Sequence, residues 1–146
     1  MAFEKSAGAI IFRKEDNKIY YLLLHCPIGP KAPKEDWDFS KGHVENGEKE
    51  IDTVKREVRE ETGLEGLKFI DGFKERIKYF FKWKGKNILK FVTFYLAETE
   101  EKDVKISIEH IGFRWLPYEK AIAQLTFQNA KELLQKANNF LSRRGL

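Results

Sequence analysis

Glu57, Glu60 and Glu61 lie within one helical turn of each other in the segment GHVENGEKEIDTVKREVREETGL, residues 42–64. On a helix Glu57 and Glu61 share a face, and Glu60 lies beside them. Three carboxylates so close repel one another unless positive charge stands among them. Arg56 offsets one of them, and a divalent cation would offset the rest. Hard oxygen donors, with no thiol or histidine cluster nearby, favour Mg2+ or Mn2+. A magnesium ion held by few carboxylates keeps waters and recruits phosphate oxygens, which brings such a site to a nucleotide. An exposed acidic face balanced by Lys55, Arg56 and Arg59 accounts for the same residues, so the glutamates alone leave both readings open.

The elements that must position them follow from periodicity. Ile51, Val54, Val58 and Thr62 form one apolar stripe, which predicts a helix over 48–62. Asn46-Gly47 turns the chain before it and Gly63 ends it. Ser6–Phe12 and Lys18–His25 read as strands joined at Asp16-Asn17. Trp37–Phe39 is a short strand. Lys68–Phe81 and Asn87–Glu98 are long strands joined at Lys84-Gly85-Lys86, and Ile111–Leu116 is another short one. Pro117–Leu125 and Phe127–Leu141 read as helices. Pro27–Asp36, with Pro27, Gly29, Pro30 and Pro33, is a long connection of the kind that often lines a site. Strands and helices in this order predict a mixed α/β fold in which helices cover both faces of a sheet.

Composition bounds the rest. The chain has 146 residues, 42% of them hydrophobic and 34% charged, as expected of one globular domain spanning 1–146. No apolar run reaches the roughly 20 residues of a membrane helix. The start, MAFEKSAGAIIF, lacks the pattern of a secretory signal. One cysteine, Cys26, excludes an internal disulfide and suits a reducing cytoplasm. A net charge of +4 is too small to imply nucleic-acid binding by itself. The charges are nevertheless segregated. Acidic residues crowd 45–65, and Lys74, Arg76, Lys78, Lys82, Lys84, Lys86 and Lys90 form a basic stretch.

The wider spacing is specific. Gly42 is followed after five residues by Glu48, and after seven more by Arg56-Glu57-Val58. One further residue leads to Glu60-Glu61, and another to Gly63-Leu64. This resembles a complete Nudix box, the signature of the Nudix hydrolases. The resemblance implies an α/β/α sandwich with a mixed β-sheet, and water attack on a pyrophosphate of a nucleoside diphosphate linked to another group. It implies Glu57, Glu60 and Glu61 as metal ligands and Glu48 as support for the site. Arg56 would orient the glutamates, and Gly42 would bring a backbone carbonyl close to the metal. The general base in this family comes from the box or from a later loop. Glu109, in ISIEHIGFRW, is the later candidate, as base and as a further metal ligand, beside the plainer reading of an ordinary loop acid.

Further segments, AGAIIFR, YLLLH, a tryptophan before KGHVE, GFKERIKY, FYLAE and EHIGFRWL, resemble the asymmetrical diadenosine tetraphosphate hydrolases of that family. That likeness implies Tyr79 and Phe127 as a pair stacking on an adenine, and Lys41 as a phosphate-binding lysine. Lys84, with Lys82 and Lys86, would sit near the far phosphates. His43, beside Lys41, is a candidate phosphate contact, as is His110; a surface or capping role fits each as well. Two features depart from the pattern. WDFSKGH stands where relatives commonly have proline between tryptophan and lysine. Glu35-Asp36 stands where a relative carries histidine, and two acids there would repel phosphate unless they point away. The expected partner is a dinucleoside polyphosphate or other adenine nucleotide. Alternatives are an RNA 5′ end, a nucleoside triphosphate, ADP-ribose, and a nucleotide-sensing module that does not turn over.

Overall fold

A computed structural model describes residues 2–27 and 35–145. Most of the predicted 27–36 connection lies outside them. β1 (Ala2–Glu15) and β2 (Lys18–Pro27) meet at Asp16-Asn17, two residues that tolerate left-handed backbone and adopt it here (φ 51° and 63°).

The hairpin then splays. β1 pairs β2 only from Phe12 to Glu15. Farther down, Ser6–Ala9 pairs with β4 (Ser40–His43), while β3 (Glu35–Asp38) takes the facing edge of β2 at Leu24–Pro27. The short run from β3 to β4 therefore fills a wedge between β1 and β2. β6 (Lys86–Glu98) runs parallel to β1 on its other edge, and β5 (Lys68–Trp83) pairs antiparallel to β6. β7 (Gly112–Leu116) completes the seven-stranded mixed sheet by pairing β2.

AGAIIF in β1 reads as a continuous small and apolar run because helices cover the sheet there on both faces. Ala7, Ala9 and Ile11 face α1 (Glu50–Thr62), which buries Val54 and Val58 against them and against Leu22 and Leu24. Ile10 and Phe12 face α2 (Tyr118–Gln124) and α3 (Gln128–Arg143), where Ala121, Leu133, Leu134 and Ala137 close the larger core. Each fully buried leucine or valine contributes about 1.5–3 kcal/mol, so the helices on both faces are fixed firmly on the sheet. This is the expected α/β/α sandwich.

The differences from expectation are local. α1 begins at Glu50, not Glu48, because the Glu48 carboxylate is occupied ahead of the helix by the Glu45 N–H and the Thr53 hydroxyl. That hydroxyl explains why Thr53 is buried off the predicted stripe. The short strand covers Glu35–Asp38 in place of Trp37–Phe39. β4 escaped the sequence reading because SKGH carries no apolar alternation. β1 starts at Ala2 because β6 supplies partners from there onward. The last two helices shift by one or two residues at their ends.

Candidate active site

The helix stop places the glutamates. Gly63 takes φ 76°, a left-handed conformation free of steric cost only for glycine, and its N–H caps the Arg59 carbonyl. With α1 ended there and packed on β1 and β4, Glu57 and Glu61 turn toward β4. The fit is close: a Cβ on Gly42 would collide with the Glu57 carboxylate. Glu61 accepts a hydrogen bond from the Ser40 hydroxyl and another from the Lys41 backbone N–H at 3.2 Å.

Arg56 ties the loop to the helix. Its Nε donates to Glu48 Oε2 at 2.8 Å, its Nη2 to the His43 carbonyl at 2.9 Å, and its Nη1 to Glu57 Oε1 at 2.8 Å. Glu60 lies 3.4 Å from the same guanidinium and is 54% exposed, so it keeps access to solvent. The guanidinium, helped by Thr53, holds the Glu48 carboxyl down at about 2. It does not do the same for its neighbours. Burial raises Glu57, with Glu60 and Glu109 adding to the effect against the Arg56 hydrogen bond. Burial, with Glu57 nearby, pushes Glu61 up to about 7 despite its bond to Ser40.

Glu109 sits in an exposed turn ahead of β7, within electrostatic reach of Glu57. Its neighbour His110, expected as a phosphate contact or a surface residue, lies against Glu61. Its ring is almost covered, with Nδ1 3.0 Å from the Ser107 hydroxyl and Nε2 3.6 Å from Glu61 Oε2. Burial lowers its pKa, so the neutral ring is favoured beside Glu61. His43 contributes its carbonyl to Arg56, and its side chain is exposed.

A second concavity of about 410 Å³ adjoins this cradle. Tyr79 and Phe127 both line it, as the expected stacking pair must, together with Lys41 and Phe81. Lys90, Asp36 and Asp38 line it too. Lys90 was missed as a site residue because one lysine within a basic stretch carries no distinguishing sequence signal. Only strand pairing, Tyr79 opposite Lys90, brings it in. Lys84 is not among the lining residues. It occupies the β5–β6 turn with its ammonium 5.8 Å from the Trp83 ring. Asp36 does not point away from the concavity.

The model of the NUDIX domain matches residues 2–137. The chain belongs to the Nudix family. The family generally uses divalent metals, and the residues here fit one: hard carboxylate oxygens, two of them raised in pKa by burial and mutual repulsion, beside a backbone that approaches without a Cβ. Among the described residues the carboxylates are engaged by Arg56 and Ser40 and do not converge on one point.

Relatives within the Nudix family are similar over nearly the whole chain. The asymmetrical bis(5′-nucleosyl)-tetraphosphatase of Mus musculus is 35% identical, covering 94% of this chain and 95% of that protein. The protein of that name from Caenorhabditis elegans is also 35% identical, with coverage of 94% and 96%. The crystal structure of a C. elegans Ap4A hydrolase binary complex matches with a TM-score of 0.80 at 34% identity, over 95% of this chain and 98% of that one.

Proposed function

We propose that this Nudix hydrolase cleaves diadenosine tetraphosphate asymmetrically, consuming one water and releasing ATP and AMP. One observation carries the reading. Lys41 belongs to both halves of the site: its backbone N–H holds Glu61, while its side chain lines the aromatic concavity. A nucleotide with its base between Tyr79 and Phe127 therefore extends its phosphates toward the glutamates. Aromatic walls hold the base without reading its edge, so the pocket tolerates other bases.

Glu57, Glu60 and Glu61 are the residues to hold Mg2+ or Mn2+, with Glu109 as a further ligand. When bound, the metal neutralises phosphate charge and lowers the pKa of attacking water. The chain's own groups do the rest. Arg56 fixes Glu48 and Glu57 so that little reorganisation accompanies charge build-up. Glu109, exposed and within the field of Glu57, takes the proton as water oxygen bonds to phosphorus and the bridging P–O bond breaks. Lys90 offers charge to the phosphates from the pocket side.

The test is incubation of pure protein with diadenosine tetraphosphate and magnesium, followed by chromatography. Equal ATP and AMP are expected; no release of product would overturn the assignment. An RNA 5′ end is the second reading. It is supported by the exposed Phe80 and Trp83 on a hairpin that also carries Lys82, Lys84 and Lys86. A capped-versus-triphosphate RNA panel separates the two. No helix among the described residues is long and apolar enough to cross a membrane. We take residues 1–146 as one domain acting in the cytoplasm, on its single free thiol and the absence of a composition break.

A further inference from the structure

Lys41 does not wait as a free cation. Its Nζ lies 2.6 Å from Asp38 Oδ2, in a pair whose side chains are 27% and 9% exposed. The other carboxylate oxygen, Oδ1, accepts the Phe39 backbone N–H at 2.7 Å. Asp38 is thus bound at both oxygens and anchored in the wedge between β1 and β2. Asp36 sits in the same concavity with its buried Oδ1 lacking a hydrogen-bond partner among the described residues. Two carboxylates and two ammonium groups, Lys41 and Lys90, leave the lining without net positive charge. Such a lining suits a neutral base better than a polyphosphate.

We propose that Asp38 is a specificity-determining residue, an internal anion that competes with substrate phosphate for Lys41. This rests on the reading of the pocket as the nucleotide site. A phosphate reaching Lys41 shares its ammonium with a carboxylate that stays in place, so each encounter loses part of the attraction a free lysine would give. Lys90 has no such partner among the described ion pairs; burial and then Lys41 press on its charge, with Glu4 and Asp38 offsetting part of the effect from a distance. The first phosphate contact therefore falls to Lys90. Lys41 contributes only when a long, highly charged chain outcompetes Asp38, so the device disfavours nucleotides with few phosphates.

The experiment is a calorimetric titration of inorganic tripolyphosphate, in metal-free buffer, into wild type, Asp38→Asn, Lys41→Met and the double variant. Asparagine keeps an acceptor for the Phe39 N–H. Should it unfold the protein, Asp38→Ser, which keeps an oxygen acceptor, takes its place, with near-UV circular dichroism verifying the fold. Asp38→Asn is expected to tighten binding about tenfold, with the gain vanishing in the Lys41→Met background. Turnover should show the gain in KM, with kcat equal or lower. An unchanged affinity overturns the proposal. So does an equal gain with and without Lys41, because that is the field effect of removing any anion. Failure of wild type to cut diadenosine tetraphosphate would sink the substrate assignment and leave the tripolyphosphate result interpretable.

Discussion

The glutamate cradle and the aromatic concavity share β4 and are built in opposite ways. In the cradle the inner carboxylates are already held, Glu48 by Arg56 and Thr53, Glu57 by Arg56, Glu61 by Ser40 and the Lys41 N–H, while Glu60 and Glu109 face solvent. The concavity is held by packing at its base and open at its rim, where Phe127 is 41% and Phe80 67% exposed. Under the proposed function, the difference follows from what each must do. Groups that act on charge developing on phosphate work best when a framework such as Arg56 and β4 limits how far they must move, since large movement during reaction costs free energy. Gripping a flat base needs only two apolar faces, which can close when it arrives.

Substitutions should separate the two halves. Glu57→Gln or Glu61→Gln removes a ligand charge from the cradle and should lower kcat by roughly 10²–10⁴-fold, with the protein still folded. Steady-state kinetics beside a thermal melt tests this, and near-normal turnover in a folded variant would sink the metal assignment. Gly42→Ala drives a methyl into the Glu57 carboxylate and should cost about 10²-fold in kcat through misplacement of a few tenths of an ångström to one. The same overpacking should lower stability by about 1–3 kcal/mol.

Phe127→Ala acts on the other half. Losing one stacking face should raise KM by about 5- to 150-fold, matching ~1–3 kcal/mol per base, with little change in kcat. A kcat loss as large as that of Glu57→Gln would erase the division between the halves.

The smallest effect is on stability against pH in the metal-free protein. Glu61 is held at about 7 in the folded state against an ordinary 4.5. The folded chain thus binds its proton more tightly than the unfolded chain. Stability from this residue is greatest below 4.5 and falls as pH rises toward 7. His110, lowered by burial, works in the opposite direction near its ordinary 6.5. Melts in chelator should show Tm declining across that window by several degrees, and Glu61→Gln should remove the decline. If Tm rises with pH equally in both proteins, Glu61 does not titrate as its burial requires.

How far the sequence could be read divides along the same line. Spacing picked out Glu48, Arg56, Glu57, Glu60 and Glu61 as one group, and the structure brings them together because the contacts among them span no more than eight residues of chain. It also indicated Tyr79 and Phe127, but only through resemblance, since each is an unremarkable aromatic locally. Asp38 as partner of Lys41 sits three residues away and still went unread, because an i,i+3 pair across the junction of two short strands has no fixed geometry. Lys90 as a lining residue and β4 itself were invisible because strand pairing across long loops defines them, and His110, named only as a phosphate contact, gave no sign of its place beside Glu61.

The amino-acid sequence by itself determined α1, its stop at Gly63, the presence of two covered sheet faces and the carboxylate set. Helix periodicity, a glycine stop and i,i+4 spacing are all encoded within a few turns. Only the tertiary structure decided which carboxylate is raised, which lysine is already occupied and where the base pocket opens. Those outcomes depend on burial and on distances between strands far apart in the chain, and the free energy of a charge is set by its surroundings.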